Sequence, residues 1–186
     1  MQLGGEKVSK TKKINDELKS LFWGELFSSI MFPLLYLLWA RTSKFNFATF
    51  FILIGLSIVL LQGTFYWKYR IKKINGKKVM KQWVIGRLFY YFKVFNIFML
   101  IFLAILIIYI SSVTGFYEML FQIFLYLFLI LEYINYFHIR LSFYTKNKMF
   151  LQVIKPIKIL FNRTGKPSKI ANDIKYFKQN KGDLNG

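Results

Sequence analysis

Residues 94–139 read VFNIFMLIFLAILIIYISSV, then Thr114-Gly115, then FYEMLFQIFLYLFLILEYINYFHI. Each half is at least 20 residues long and almost free of charge. At 1.5 Å per residue, that length of helix spans the roughly 30 Å hydrocarbon core of a bilayer. An unsatisfied backbone group in hydrocarbon costs several kcal/mol, so such stretches cross as helices. Between them, Ser111-Ser112-Val113-Thr114-Gly115 is short and uncharged, which predicts a tight turn and a close antiparallel helical hairpin.

Two further stretches meet the same test upstream, Leu21 to Ala40 and Phe47 to Trp67. The expected architecture is therefore all-α, a polytopic membrane protein with a four-helix transmembrane bundle over 21–140 (spans 21–40, 47–67, 94–113 and 116–139). A basic leader (1–20), a loop (68–93) and a basic tail (141–186) flank the spans. The leader is longer than the charged region of a cleaved secretory signal, so the first span is read as a retained anchor.

Charge sets the expected orientation, because basic residues in short loops stay on the cytoplasmic side. The chain carries 27 Lys+Arg against 8 Asp+Glu, a formal charge of +19. Five basic residues lie in the leader, nine in the 68–93 loop and eleven after the fourth span, leaving Arg41 and Lys44 for the opposite side. Both termini are expected in the cytoplasm of a cell whose plasma membrane holds the protein.

The same asymmetry accounts for a charge that would suggest nucleic acid in a soluble chain, and no aromatic-interleaved RNA motif accompanies it. No nucleic-acid partner is expected. Anionic lipid headgroups are, at about 1 kcal/mol per basic residue near the surface. Lys72, Lys73, Lys77, Lys78, Lys155 and Lys158 are the candidate headgroup contacts. In the loop, Asn75-Gly76 is a turn signal, read as two helical extensions reversing direction in preference to a hairpin.

The tail changes character. Phe150, Val153, Ile154, Ile157, Leu160 and Phe161 fall at helical spacing among lysines, predicting an amphipathic segment in the headgroup plane, bent at Pro156. Pro167-Ser168 then reads as a helix start, with Ile170, Ile174 and Phe177 on one face.

An ionisable group at membrane depth costs about 2.5 to 3.5 kcal/mol on insertion scales and marks a candidate site. Glu25 and Glu132 both fall in the half of the membrane near the basic side. Lys93, Asn96, Asn135, Tyr136, His138 and Arg140 fall in the same zone. At 100° per residue, Glu132, Asn135 and Tyr136 share one stripe while His138 points elsewhere. Two readings compete: the acids neutralise Lys93 or Arg140 and lock the bundle, or they are functional, as a proton- or cation-linked site or a contact for another membrane subunit. On the second span, Ala48, Gly55 and Gln62 recur every seven residues with Gly63 beside them, a stripe suited to close helix packing.

Enzymatic designs lack ingredients. There is one histidine and no cysteine, and the three aspartates (Asp16, Asp173, Asp183) lie outside the spans. Gly165-Lys166-Pro167-Ser168 lacks the spacing of a phosphate-binding loop. No catalysis, cofactor or metal is expected. The leading expectation is a noncatalytic membrane protein acting through anionic lipids, another membrane protein or a homo-oligomer. A small transporter or transporter subunit using Glu25 and Glu132, or an immunity or envelope-stress factor, are the alternatives.

Lysine, asparagine, isoleucine and phenylalanine are abundant, as in chains encoded by AT-rich bacterial genomes. The run Leu131-Glu132-Tyr133-Ile134-Asn135-Tyr136-Phe137-His138, with Ser168-Lys169-Ile170-Ala171-Asn172-Asp173-Ile174 in the tail, resembles small multi-span membrane proteins of low-GC Gram-positive bacteria, some of them labelled general stress proteins. The resemblance implies a bacterial source and brings no activity or functional residues with it.

Overall fold

The computed structural model describes residues 3–41, 45–111, 114–140 and 166–183. These residues form five helices: α1 (Leu3–Trp39), α2 (Phe47–Ile74), α3 (Gln82–Ser111), α4 (Phe116–Phe137) and α5 (Lys169–Asp183). The first four are each long and apolar enough to cross a membrane, so the chain is an all-α, multi-pass membrane protein. Residues 141–165, with Lys155, Lys158 and the expected amphipathic segment, lie outside the described residues.

Local chemistry sets the helix ends. Asn46 starts α2, its Oδ1 accepting from the Thr49 amide at 3.2 Å, which satisfies one of the open first-turn donors. The same residue ties α1 to α2: the Tyr36 hydroxyl donates to the Asn46 carbonyl at 2.9 Å and accepts from its amide at 2.8 Å. At the other end of α2 the helical reading of the loop holds, since the helix continues past Trp67 to Ile74. Gly76 then adopts φ +66°, the Lys77 amide reaches the Lys72 carbonyl and the Gly76 amide that of Lys73. This is a Schellman close, whose left-handed residue favours glycine.

The helix α2 is the axis of the molecule. Two-thirds of its most apolar window (67%) is buried, against 11%, 17% and 28% for α1, α3 and α4, and it packs against all three. The small-residue stripe lies on this buried helix, with Ala48, Gly55, Gln62 and Gly63 all buried. A Cβ on Gly55 would stand 3.0 Å from Leu103 of α3 and 3.4 Å from Leu129 of α4. Trp23, Phe27, Phe98, Ile108 and Phe124 stay exposed on the outer faces of the other helices, as lipid-facing side chains would.

The fifth helix follows the start signal at Pro167-Ser168 and docks on the bundle. Its apolar face, Ile170 and Ile174, is buried in the core, and it packs on α3 and α4. The face therefore covers protein and not headgroups. Ser168 caps the helix by accepting from the Ala171 amide at 2.9 Å, and its hydroxyl donates to the Tyr136 carbonyl at the end of α4. The bonds Ser168 N–H to His138 O and Arg140 N–H to Lys166 O make a two-residue antiparallel bridge between Ile139 and Pro167. Asp173 completes the dock: its carboxylate accepts from the Tyr66 hydroxyl and from the Gln82 amide, both at 2.7 Å.

Candidate functional site

A cavity of about 410 Å³ lies between α1 and α4 at the basic end of the bundle. Its floor is α2, with Leu60, Tyr66 and Trp67. The helix α1 contributes Leu18, Leu21 and Glu25, while α4 contributes Glu132, Asn135 and Tyr136. Arg140, Ser168 and Lys169 close it where the chain leaves α4 and enters α5.

Glu25 is the best-held of the acids. Its Oε1 accepts from the Trp67 indole N–H at 2.7 Å. Its Oε2 is buried with no hydrogen-bond partner of good geometry, although the Tyr136 hydroxyl lies beside it. Both atoms crowd Gly63: a Cβ there would come within 2.5 Å of Oε2 and 2.6 Å of the Tyr136 hydroxyl. Gly63 is thus the residue that lets a carboxylate of α1 and a phenol of α4 meet over α2. Glu132 Oε2 accepts a long bond, 3.5 Å, from Asn135 Nδ2 one turn away.

The expected neutralising pairs are not formed. Among the described residues neither acid lies within ion-pair distance of a cation, and the side chain that bonds Glu132 is Asn135. Arg140 shares the cavity with Glu25 and Glu132 without bonding to either. Lys93 sits apart on α3, near Lys178 and His138, and the His138 ring meets the Tyr133 hydroxyl at 3.4 Å. Asn96 and Gln62 make a separate buried pair between α3 and α2, exchanging two amide hydrogen bonds of 2.7 and 3.1 Å. Of the eight polar candidates, Glu25, Glu132, Asn135, Tyr136 and Arg140 line one cavity, and Lys93, Asn96 and His138 do not.

Outside the spans, Lys169 is strained electrostatically. Burial and then the neighbouring Arg70 and Arg140 push its ammonium below the usual lysine range, with Glu17 pulling the other way. Lys72 and Lys73 are exposed in the last turn of α2, and Lys77 and Lys78 on the α2–α3 connector. No group of three or more His, Cys, Asp or Glu side chains gathers at a metal-binding distance among the described residues.

Trp67, Tyr66 and Lys169 are site residues that the sequence reading did not single out. Trp67 had a usable signal, since it stands one turn beyond Gly63 on the helix whose small residues marked the packed side. Lys169 had none, because its place depends on a chain return across residues 141–165.

Fold and cavity together define a four-span helical membrane protein with a carboxylate-bearing chamber near one face. No protein-family model, curated protein or solved structure matches the chain.

Proposed function

We propose that the protein binds a proton or cation at Glu25 and Glu132 and works as a small transporter or as a subunit of a larger one. The observation that carries this reading is that two carboxylates share a cavity at membrane depth without a paired cation. Isolated charge there is costly, and its retention marks ion pathways and proton relays. A structural lock would have the acids paired with Lys93 or Arg140, and no such pair forms. Four spans are few for alternating access, so a homo-oligomer or a membrane partner completes the pathway.

The protein sits in a bacterial plasma membrane with its basic end in the cytoplasm, a placement that rests on the lysine and arginine distribution. The exposed lysines of the α2–α3 connector favour a second, compatible role, holding that end against anionic lipid or a cytoplasmic partner.

Proteoliposome flux tests the first role. Glu25→Gln and Glu132→Gln each lower proton, sodium or potassium flux by tenfold or more while the melting temperature in detergent holds or rises. A fall in melting temperature with flux unchanged would return the acids to a structural role.

A further inference from the structure

Which cation the cavity fits follows from its walls. Among the described residues, five ionisable carboxyl, guanidinium and ammonium side chains line it: Glu17, Glu25 and Glu132 against Arg140 and Lys169. Counted as formal charges, three acids stand against two bases. Glu25 and Glu132 face the same cavity from different helices, and the Glu25 Oε2 has no hydrogen-bond partner. A single positive charge set between them restores the formal balance.

Size and chemistry narrow the class. A proton needs no room, yet about 410 Å³ is open, within the range of small-molecule sites. A dehydrated hard metal cation needs roughly six oxygen ligands, whereas Leu18, Leu21, Leu60 and Ile170 supply much of this wall. Tyr66 and Trp67 meet edge to face at 5.5 Å beside the acids, and aromatic surfaces attract organic cations by about 0.5 to 2 kcal/mol each. We propose that the cavity binds an organic monocation, an ammonium group carrying an apolar body, with the charge at Glu25 and Glu132 and the body against the leucines. This inference rests on the cation-site reading above and names its ligand class.

The test uses the full-length protein in uncharged maltoside micelles, titrated calorimetrically with benzyltrimethylammonium. Neopentylbenzene, the neutral isostere with carbon in place of nitrogen, is the control. Saturable binding of the cation, weakened tenfold or more by Glu25→Gln and abolished by the cavity-filling Leu21→Trp, with no binding of the isostere, is expected. Leu21→Trp keeps the test informative should Glu25→Gln fail to fold. Absent binding, equal binding of the isostere, or binding indifferent to both substitutions would overturn the proposal. Proton, sodium and potassium flux in the same variants separates the two readings. Flux that needs Glu25 but survives Leu21→Trp, with no ammonium binding, overturns the organic ligand alone. Neither flux nor binding overturns both.

Discussion

Gly63 shows how a single missing methyl group shapes the site. Gly63→Ala puts a Cβ within 2.6 Å of the Glu25 carboxylate and the Tyr136 phenol, and one of them has to move. Overpacking of this kind costs about 1 to 3 kcal/mol, so the melting temperature should fall and the Trp67 fluorescence should change as its bond to Glu25 is disturbed. Gly24→Ala is the matched control: its Cβ meets nothing within 4 Å, and alanine is the better helix former by about 1 kcal/mol. Its melting temperature should hold or rise. The small-residue stripe was legible in the sequence because Ala48, Gly55 and Gln62 repeat every seven positions, a period that keeps one side of a helix in line. Which neighbour each residue meets was not. Gly63 is eight residues from Gly55, a rotation of about 80°, enough to turn it from the α3–α4 seam toward α1. The pairing of Glu25 with Trp67 was hidden for a related reason, since an indole near a membrane boundary ordinarily reads as an interfacial anchor.

At the level of elements, α5 is held by one buried carboxylate as well as by its apolar face. Asp173→Ala leaves the Tyr66 hydroxyl and the half-buried Gln82 amide without their acceptor, at about 1 to 3 kcal/mol for the buried phenol and less for the amide. Hydrogen exchange should then rise throughout α5 and in the first turns of α3, while the apolar parts of α2 and α4 keep their protection. The start of α5 should also respond to pH. Lys169 has its folded-state pKa lowered by burial and by Arg70 and Arg140, so the unfolded state binds more protons between the lowered value and the usual lysine value. Stability therefore rises with pH across that window and its slope flattens above it. Thermal melts of Lys169→Gln should show a smaller slope than the parent between neutral pH and about pH 10. The helix itself was readable from Pro167-Ser168 and the 170, 174 and 177 spacing. Its partner was not, because amphipathicity gives a face without saying whether lipid or protein covers it, and an aspartate outside the spans carries no sign of the helix it will meet. Gly86 gives a clue only in retrospect: a Cβ there would run into the Asp173 backbone, so the glycine marks where α3 and α5 touch.

For the whole molecule, the four spans were legible because each is long, apolar and separated from the next by polar or turn residues. The cavity was only half legible: helical phase put Glu132, Asn135 and Tyr136 together, but bringing Glu25 and Lys169 to them needed the packing of α1 and the return of α5. Orientation remains a matter of charge and has a direct test, since the chain contains no cysteine and single reporters can be placed without background. Lys78→Cys, exposed on the α2–α3 connector, should be labelled by an impermeant maleimide only in inverted vesicles. Tyr117→Cys, whose parent side chain is 85% exposed at the far end of the bundle, should be labelled only in intact cells. The dock of α5 also sets a clock on biosynthesis. Tyr66 and its acceptor Asp173 are 107 residues apart, and chains grow at about 5 to 20 residues per second. For some 5 to 20 seconds, a newly inserted α2 holds an uncapped phenol at the membrane edge, and the dock closes only after Asp173 has been made.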